Sequence, residues 1–419
     1  MTTTMPTAAA VKGWVADGYE PMQDAFARAV PALGTGGGAF AAYKDGVPVV
    51  DLWAGNAREG QPWVEDTLTV IMSATKGAVA LCAQILNDRG LLDVEAPVAS
   101  YWPEFAQAGK AAITVRQILT HTAGLLCFPG YETVLKWDGT GWDDYDAIAA
   151  GFAAAEPCWE PGTRHGYHAM SVGWLVGEIV RRITGQSIGT FFADNVATPL
   201  GVDIHIGTPA ADQERVAHVI DRMQASLPFP LRAMYPWIHR RICDPRTLSG
   251  RAYLASNGMT IVDRAEELFR RPEFLGIEVP SGNGTANARS LARLYAMLAA
   301  DGELDGVRIV SEDSAREWGK EVLRAPDALM QELPIPGLRR LIARPMGRSL
   351  GYLINMRGPG ELPHFGPNPR AFGAEGAGGQ ISFCDPESGV AIGFVRNELA
   401  GAPTTAAKLV RDFYAITQS

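Results

Sequence analysis

A chain of 419 residues with 47% hydrophobic and 20% charged side chains has ordinary globular composition, long enough for two or three domains or one large domain carrying an insertion. Its net charge of −9 argues against a nucleic-acid partner, because phosphate binding needs concentrated Lys and Arg. Met1 to Ala10 lacks a basic segment followed by an apolar one and no apolar run reaches spanning length, so the sequence predicts no secretory signal, no membrane span and a cytoplasmic location.

In chain order, Glu20 to Leu33 reads as a helix with Met22, Phe26, Val30 and Leu33 on one face. The period then changes: residues 37–43 and 47–53 are β-like runs around Lys44-Asp45-Gly46, a hairpin signal. Next comes Ile71-Met72-Ser73-Ala74-Thr75-Lys76, where a serine and a lysine three residues apart open an apolar run with Val79, Leu81, Cys82, Ile85 and Leu86 at helical spacing. On a helix, positions i and i+3 share a face, so Lys76 can reach and activate the Ser73 hydroxyl. The bland alternative is a helix cap beside a surface lysine.

From Asp93 to about Leu200 the signals are mostly helices and long loops. Ile113 to Leu125 predicts a short Thr-capped helix ending near Gly124, and Ser171 to Thr184 a second helix stopped by Gly185. Between them Cys158 to Ala169 is turn-rich and belongs on a surface or cleft loop. It carries Tyr167, a phenol whose acidity a neighbouring ammonium such as Lys76 would increase. Residues 205–280 and 321–349 are the least legible. Within them Leu227 to Ile238, rich in Pro and large apolar groups, fits a lid or pocket wall, a membrane-surface contact, or a loop folded onto the core. Ser290 to Asp301 reads as a helix; Leu350 to Met356, Ala377 to Cys384 and Val390 to Val395 read as strands; Ala406 to Ile416 closes as an amphipathic helix. Strands near both ends around a helical middle suggest one sheet built from both, with a helical insertion.

Other motifs carry less. Gly185-Gln186-Ser187-Ile188-Gly189 satisfies GxSxG, but a nucleophile elbow needs a preceding strand and here a helix precedes, so Ser187 reads as a turn residue. The five cysteines, Cys82, Cys127, Cys158, Cys243 and Cys384, are scattered, with no CxxC and no Cys/His pairing suited to zinc, and are expected to be reduced thiols. His165 and His168 lack a third ligand at metal spacing, so no metal and no other cofactor is expected.

Taken together, SATK (Ser73 to Lys76), ILTHTAGL (Ile118 to Leu125), WEPGTRHGYHA (Trp159 to Ala169), AEGAGG (Ala374 to Gly379) and the FCDPE turn make the chain resemble the serine β-lactamase and penicillin-recognising superfamily, most of all its family VIII carboxylesterases. The resemblance spans roughly residues 20–415. It implies a β-lactamase/DD-peptidase-like α/β fold of the α+β type. In that fold an antiparallel sheet from both chain ends, residues 1–72 and 305–419, is flanked by helices, and residues 73–304 form a mostly helical domain. Carried over by position, Ser73 would be the acylated nucleophile, with Lys76 and Tyr167 as its proton-transfer pair. The oxyanion hole would be the backbone N–H groups of Ser73 and of Ala377 on an edge strand. Ala169, Ala374, Glu375 and Gly376 would line the substrate site.

Two departures matter: Ala169 stands where the family has Asn or Ser, and Ala374 where it has Lys or His. Both losses favour a small neutral ester over a β-lactam or peptide, and Glu375 either faces the cleft or points away. The expected activity is serine carboxylesterase, through an acyl-enzyme. The alternatives are an acyltransferase, a weak β-lactamase or amide hydrolase on the same centre, or a silent binding protein. His121 and Thr122 read as loop-fixing residues, and Pro280 to Thr285 as the cap of the helix that follows. A homo-oligomer is left open.

Overall fold

A computed structural model describes residues 10–229, 231–332, 345–356, 364–401 and 404–417. The first nine residues of the N-terminal stretch, and 333–344 of the illegible stretch, lie outside the described residues. The main sheet is built from β1 (Lys12–Val15), β2 (Gly37–Lys44), β3 (Val47–Arg58), β4 (Leu323–Pro326), β5 (Pro345–Arg348), β6 (Leu353–Ile354), β7 (Phe372–Gly376), β8 (Gln380–Asp385) and β9 (Val390–Arg396). Its spatial order is β1-β3-β2-β9-β8-β7-β6-β5-β4, antiparallel throughout, so β2 and β9 from opposite ends of the sequence lie side by side in its interior. The antiparallel sheet expected from both ends is therefore present. The helices used below are α1 (Pro21–Ala29), α2 (Thr75–Asp88), α3 (Val115–Leu119), α4 (Ser171–Thr184), α5 (Leu231–Ile242), α6 (Ala288–Ala299) and α7 (Thr404–Thr417).

Alternation along the central strands assigns each face its partner. Phe40 and Ala42 of β2 and Ile392 and Phe394 of β9 point into a core with Met22 and Phe26 of α1 and Leu409 and Phe413 of α7. Ala39, Ala41 and Tyr43, with Ala391 and Val395, point the other way, toward α6 and the helical region. The small side chains let α6 lie close: a Cβ on Gly393 would stand 2.3 Å from the Ala288 carbonyl oxygen. Helix α2 comes up to α6 where Gly77 faces the Tyr295 hydroxyl, and α4 packs across α2.

Several boundaries differ from expectation. Thr114 does cap α3, in a capping box with Gln117, but α3 ends at Leu119, and the chain turns through His121 (φ 60°) before Gly124. The strand Phe372–Gly376 is unforeseen because its glycines and Glu375 dilute any β pattern. β8 starts at Gln380 and β6 covers only Leu353–Ile354. The stretch 227–238 contributes α5, a helix with Pro236 inside it and no buried residue. Ser187 caps the short helix Ile188–Phe192 and donates to Glu278 at 2.5 Å, with α4 rather than a strand before it, as a turn residue would. The cap of α6 is Asn287, not the 280–285 motif. All five cysteines are free thiols. Among the described residues no helix is long and apolar enough to cross a membrane.

Candidate active site

Strands β5 to β7 and the helical region meet at a cleft of about 760 Å³. At its floor Met72, Ser73 and Ala74 form a tight turn that runs into α2. Met72 has φ 49°, a left-handed conformation uncommon outside glycine. Thr75 braces this turn: its hydroxyl donates to the Met72 carbonyl at 2.6 Å and accepts from Gly284 N–H at 3.0 Å. Ser73 is thereby presented at the start of a helix otherwise buried from Thr75 to Leu86.

Lys76, 7% exposed, lies with its Nζ 3.0 Å from Ser73 Oγ and donates to the Ser281 carbonyl at 2.7 Å. Burial, reinforced by the Arg348 guanidinium, holds this amine well below the usual lysine range. Tyr167 reaches the same serine from the loop after Trp159, and Lys76 Nζ stands 5.1 Å from the centroid of its ring. Burial pushes the phenol up, more than its hydrogen bond to Ser73 and the charge of Arg348 pull it down. The expectation that an ammonium lowers Tyr167 is thus reversed: desolvation weakens both charged forms.

Neutral histidines hold the Tyr167 loop. His121 Nδ1 accepts from His168 N–H at 3.1 Å, the His121 carbonyl accepts from Gly166 N–H at 3.0 Å, and His168 Nε2 accepts from Leu125 N–H at 3.0 Å. Burial lowers His168 to about 4, while the ring of His165 accepts from Arg348 Nε at 3.2 Å. His121 and Thr122 fix the loop in this arrangement; Thr122 does so by accepting Trp159 Nε1–H on its carbonyl at 3.2 Å. Asp327 completes it, accepting from Tyr167 N–H at 3.1 Å and Leu329 N–H at 2.8 Å.

The third motif arrives on β7. Its end packs against the Ser73 turn so tightly that a Cβ on Gly376 would lie 2.3 Å from the Ile71 carbonyl oxygen. Ala374, Glu375, Gly376 and Ala377 all line the cleft, as does Ala169. Ala377 is not on an edge strand. It sits in the turn after β7, and β7 is interior, between β6 and β8. Glu375 faces the cleft and is paired with His364, whose ring it raises through their hydrogen bond.

Apolar groups close the walls: Met170, Ile261, Phe269, Leu329, Met346 and Leu353. No residue of α5 among those described lines the cleft. Sequence reasoning missed Arg348, Asp327 and the Ser281 carbonyl. The first two lie in a stretch without periodicity, and a backbone acceptor leaves no mark in a sequence.

The model of the family described as Beta-lactamase matches residues 22–415. The "Esterase/beta-lactamase LipL" of Mycobacterium tuberculosis (strain ATCC 25618 / H37Rv) is 36% identical over 379 residues, 90% of this chain and 80% of its own length. Among solved structures, a penicillin-binding protein homolog from Caulobacter crescentus superposes with a TM-score of 0.80 at 32% identity, covering 97% of this chain and 99% of its own. A family VIII carboxylesterase does so at 0.78 and 34%, with the same coverage. The chain has the β-lactamase and penicillin-binding-protein fold, and it belongs to the Beta-lactamase family.

Proposed function

We propose that the chain is a serine hydrolase that cleaves small neutral carboxylic esters through an acyl-enzyme on Ser73. The observation that carries this reading is the 3.0 Å approach of a buried, charge-disfavoured Lys76 to Ser73 Oγ on the floor of an apolar cleft. A neutral amine donates one N–H to the Ser281 carbonyl and turns its lone pair on the serine hydroxyl. It takes that proton as Oγ attacks the ester carbon. The oxyanion forms against the N–H groups of Ser73 and Ala377, each worth roughly 3 kcal/mol in the transition state. The Tyr167 phenol, kept protonated by burial, passes its proton to the departing alkoxide and recovers one from Lys76. Water then repeats the sequence on the acyl group.

Ala169 and Ala374 support the neutral-ester choice, since neither offers an amide or a carboxylate a polar side chain. The His364–Glu375 pair at the rim adds no free cation for an anionic substrate. The size of the cleft is within the usual range for small-molecule sites. The relatives named above include esterases, which agrees with the reading. The test is hydrolysis of p-nitrophenyl acetate and butyrate by Ser73→Ala, with peptide mapping of a fluorophosphonate adduct. Loss of turnover together with label on Ser73 in the parent supports the proposal; retained turnover or label at Ser187 overturns it.

A further inference from the structure

Away from the cleft, three side chains with different donor atoms converge where α5 meets the chain that leads into the cleft wall. His239 and Cys243 are one helical turn apart, Cys243 N–H donating to the His239 carbonyl at 2.9 Å, and Asp263 comes from the facing loop. We propose that His239, Cys243 and Asp263 form a binding site for one divalent cation of the zinc type, which clamps α5 to the back of the cleft wall.

The geometry is close to what ligation needs. A tetrahedral zinc with ligand bonds of 2.0–2.3 Å separates its ligand atoms by about 3.3–3.6 Å. Cys243 Sγ already lies 3.4 Å from His239 Nε2 and 3.5 Å from Asp263 Oδ2. Only the edge from His239 Nε2 to Asp263 Oδ1 is shorter, at 2.5 Å, the length of a hydrogen bond that a cation would replace. The carboxylate is fixed through Oδ2, which accepts from Thr260 N–H at 2.6 Å and Thr260 Oγ1 at 2.8 Å beside its contact with the thiol and so leaves Oδ1 as the ligating oxygen, and Thr260 is itself buried. Tyr235 stacks on the imidazole with centroids 5.3 Å apart. Such outer contacts are what orient metal ligands. Imidazole, thiolate and carboxylate together suit zinc better than calcium or magnesium, which take oxygen alone.

A cysteine nucleophile does not fit the same groups. In a Cys-His-Asp relay the thiol and the carboxylate sit at opposite ring nitrogens, whereas here the carboxylate meets Nε2 and the thiol lies nearer to that same nitrogen, at 3.4 Å against 3.8 Å for Nδ1. Burial and the Asp263 charge also push the thiol up to about 12, away from thiolate. A cation supplies what the thiolate lacks: the S–H proton leaves to solvent, the sulfur–metal bond forms, and no redox partner is involved. His239 and Cys243, four apart, are the Cys/His pair that sequence reading passed over, because its third partner is twenty residues farther on.

The mechanical consequence lies in the loop. Asp263 directly follows Ile261 and Val262, which line the cleft, while α5 has no buried residue of its own. A cation here joins the two without entering the cleft, so the site is structural and its occupancy is independent of the esterase reading.

The experiment uses the full chain, stripped with a chelator, dialysed, and titrated with zinc chloride or with cobalt chloride. We expect one equivalent of retained zinc, a thiolate-to-cobalt charge-transfer band, and a higher melting temperature with zinc. Cys243→Ser should abolish the band, and Cys243→Ser and Asp263→Asn should each weaken zinc binding by about tenfold or more. His239→Gln keeps a polar side chain should Cys243→Ser fail to fold. No retained zinc in the parent, or unchanged stoichiometry in the folded variants, overturns the proposal. Hydrolysis is not the readout.

Discussion

The helices α2 and α5 stand on either side of the cleft wall and could hardly be held more differently. Every residue of α2 from Thr75 to Leu86 is buried, and none of α5 is. On α2 the side chains of the sheet, α6 and α4 meet around one helix, and the Ser73–Lys76 geometry follows from that packing. On α5 Leu231 is 39% and Trp237 45% exposed. The lesson is that the proposed reacting groups, Ser73 and Lys76, are set where a shift of a few tenths of an ångström disturbs the whole core. The surroundings of the substrate are set by chain that can change at little cost.

Breaking the first half of that comparison should have the largest effects. Lys76→Met should lower kcat on p-nitrophenyl butyrate by roughly 10³-fold or more, since base and nucleophile act as a unit. The same variant should melt higher than the parent. The folded state depresses Lys76, so below the ordinary lysine range the unfolded chain binds the extra proton, and parental stability rises with pH toward that range. The gap in melting temperature should therefore widen as pH falls. Leu81→Ala, at a site with no exposure, should cost about 2–5 kcal/mol of unfolding free energy, read from denaturant melts. Arg348→Met sharpens the comparison, because it alters the charge and leaves the fold of α2 in place. Removing that cation lets Lys76 rise, so the acid limb of kcat/KM should move to higher pH. Trp237→Ala should change stability by less than about 0.5 kcal/mol, and a larger loss would show that α5 is more firmly seated than its exposure indicates.

The same divide explains what could be read in advance. The run from Ser73 to Leu86, the 37–53 hairpin and Ser171–Thr184 are legible because apolar residues recur in them at helix or strand spacing, whether one face is buried or, as on α2 and β2, nearly all of it. Residues 372–376 had no such pattern, since close approach to Ile71 requires Gly376 and the strand is short. Arg348 and Asp327 act through charge and through hydrogen bonds to distant parts of the chain, which no spacing announces. The direction of the Tyr167 shift was misjudged for a related reason: a sequence shows that Lys76 is nearby but not that both groups are dry. Glu375 found its partner in His364, eleven residues earlier, across a link that only the folded chain makes.

The adjacency of β2 and β9 sets a clock on synthesis. Val390 follows Lys44 by 346 residues, yet the two are register partners. At 5–20 residues per second, the β2–β3 hairpin leaves the ribosome roughly 20–70 s before the strand that covers its inner edge. For that interval the apolar face of Phe40 and Leu52 lacks its α7 partners Leu409 and Phe413, and one row of unpaired backbone groups stands open. Everything from Ser73 to the cleft wall at Leu353 is made while the sheet is still half complete. The yield of active enzyme should therefore depend on elongation rate and on holdase chaperones more than on the final stability of the fold.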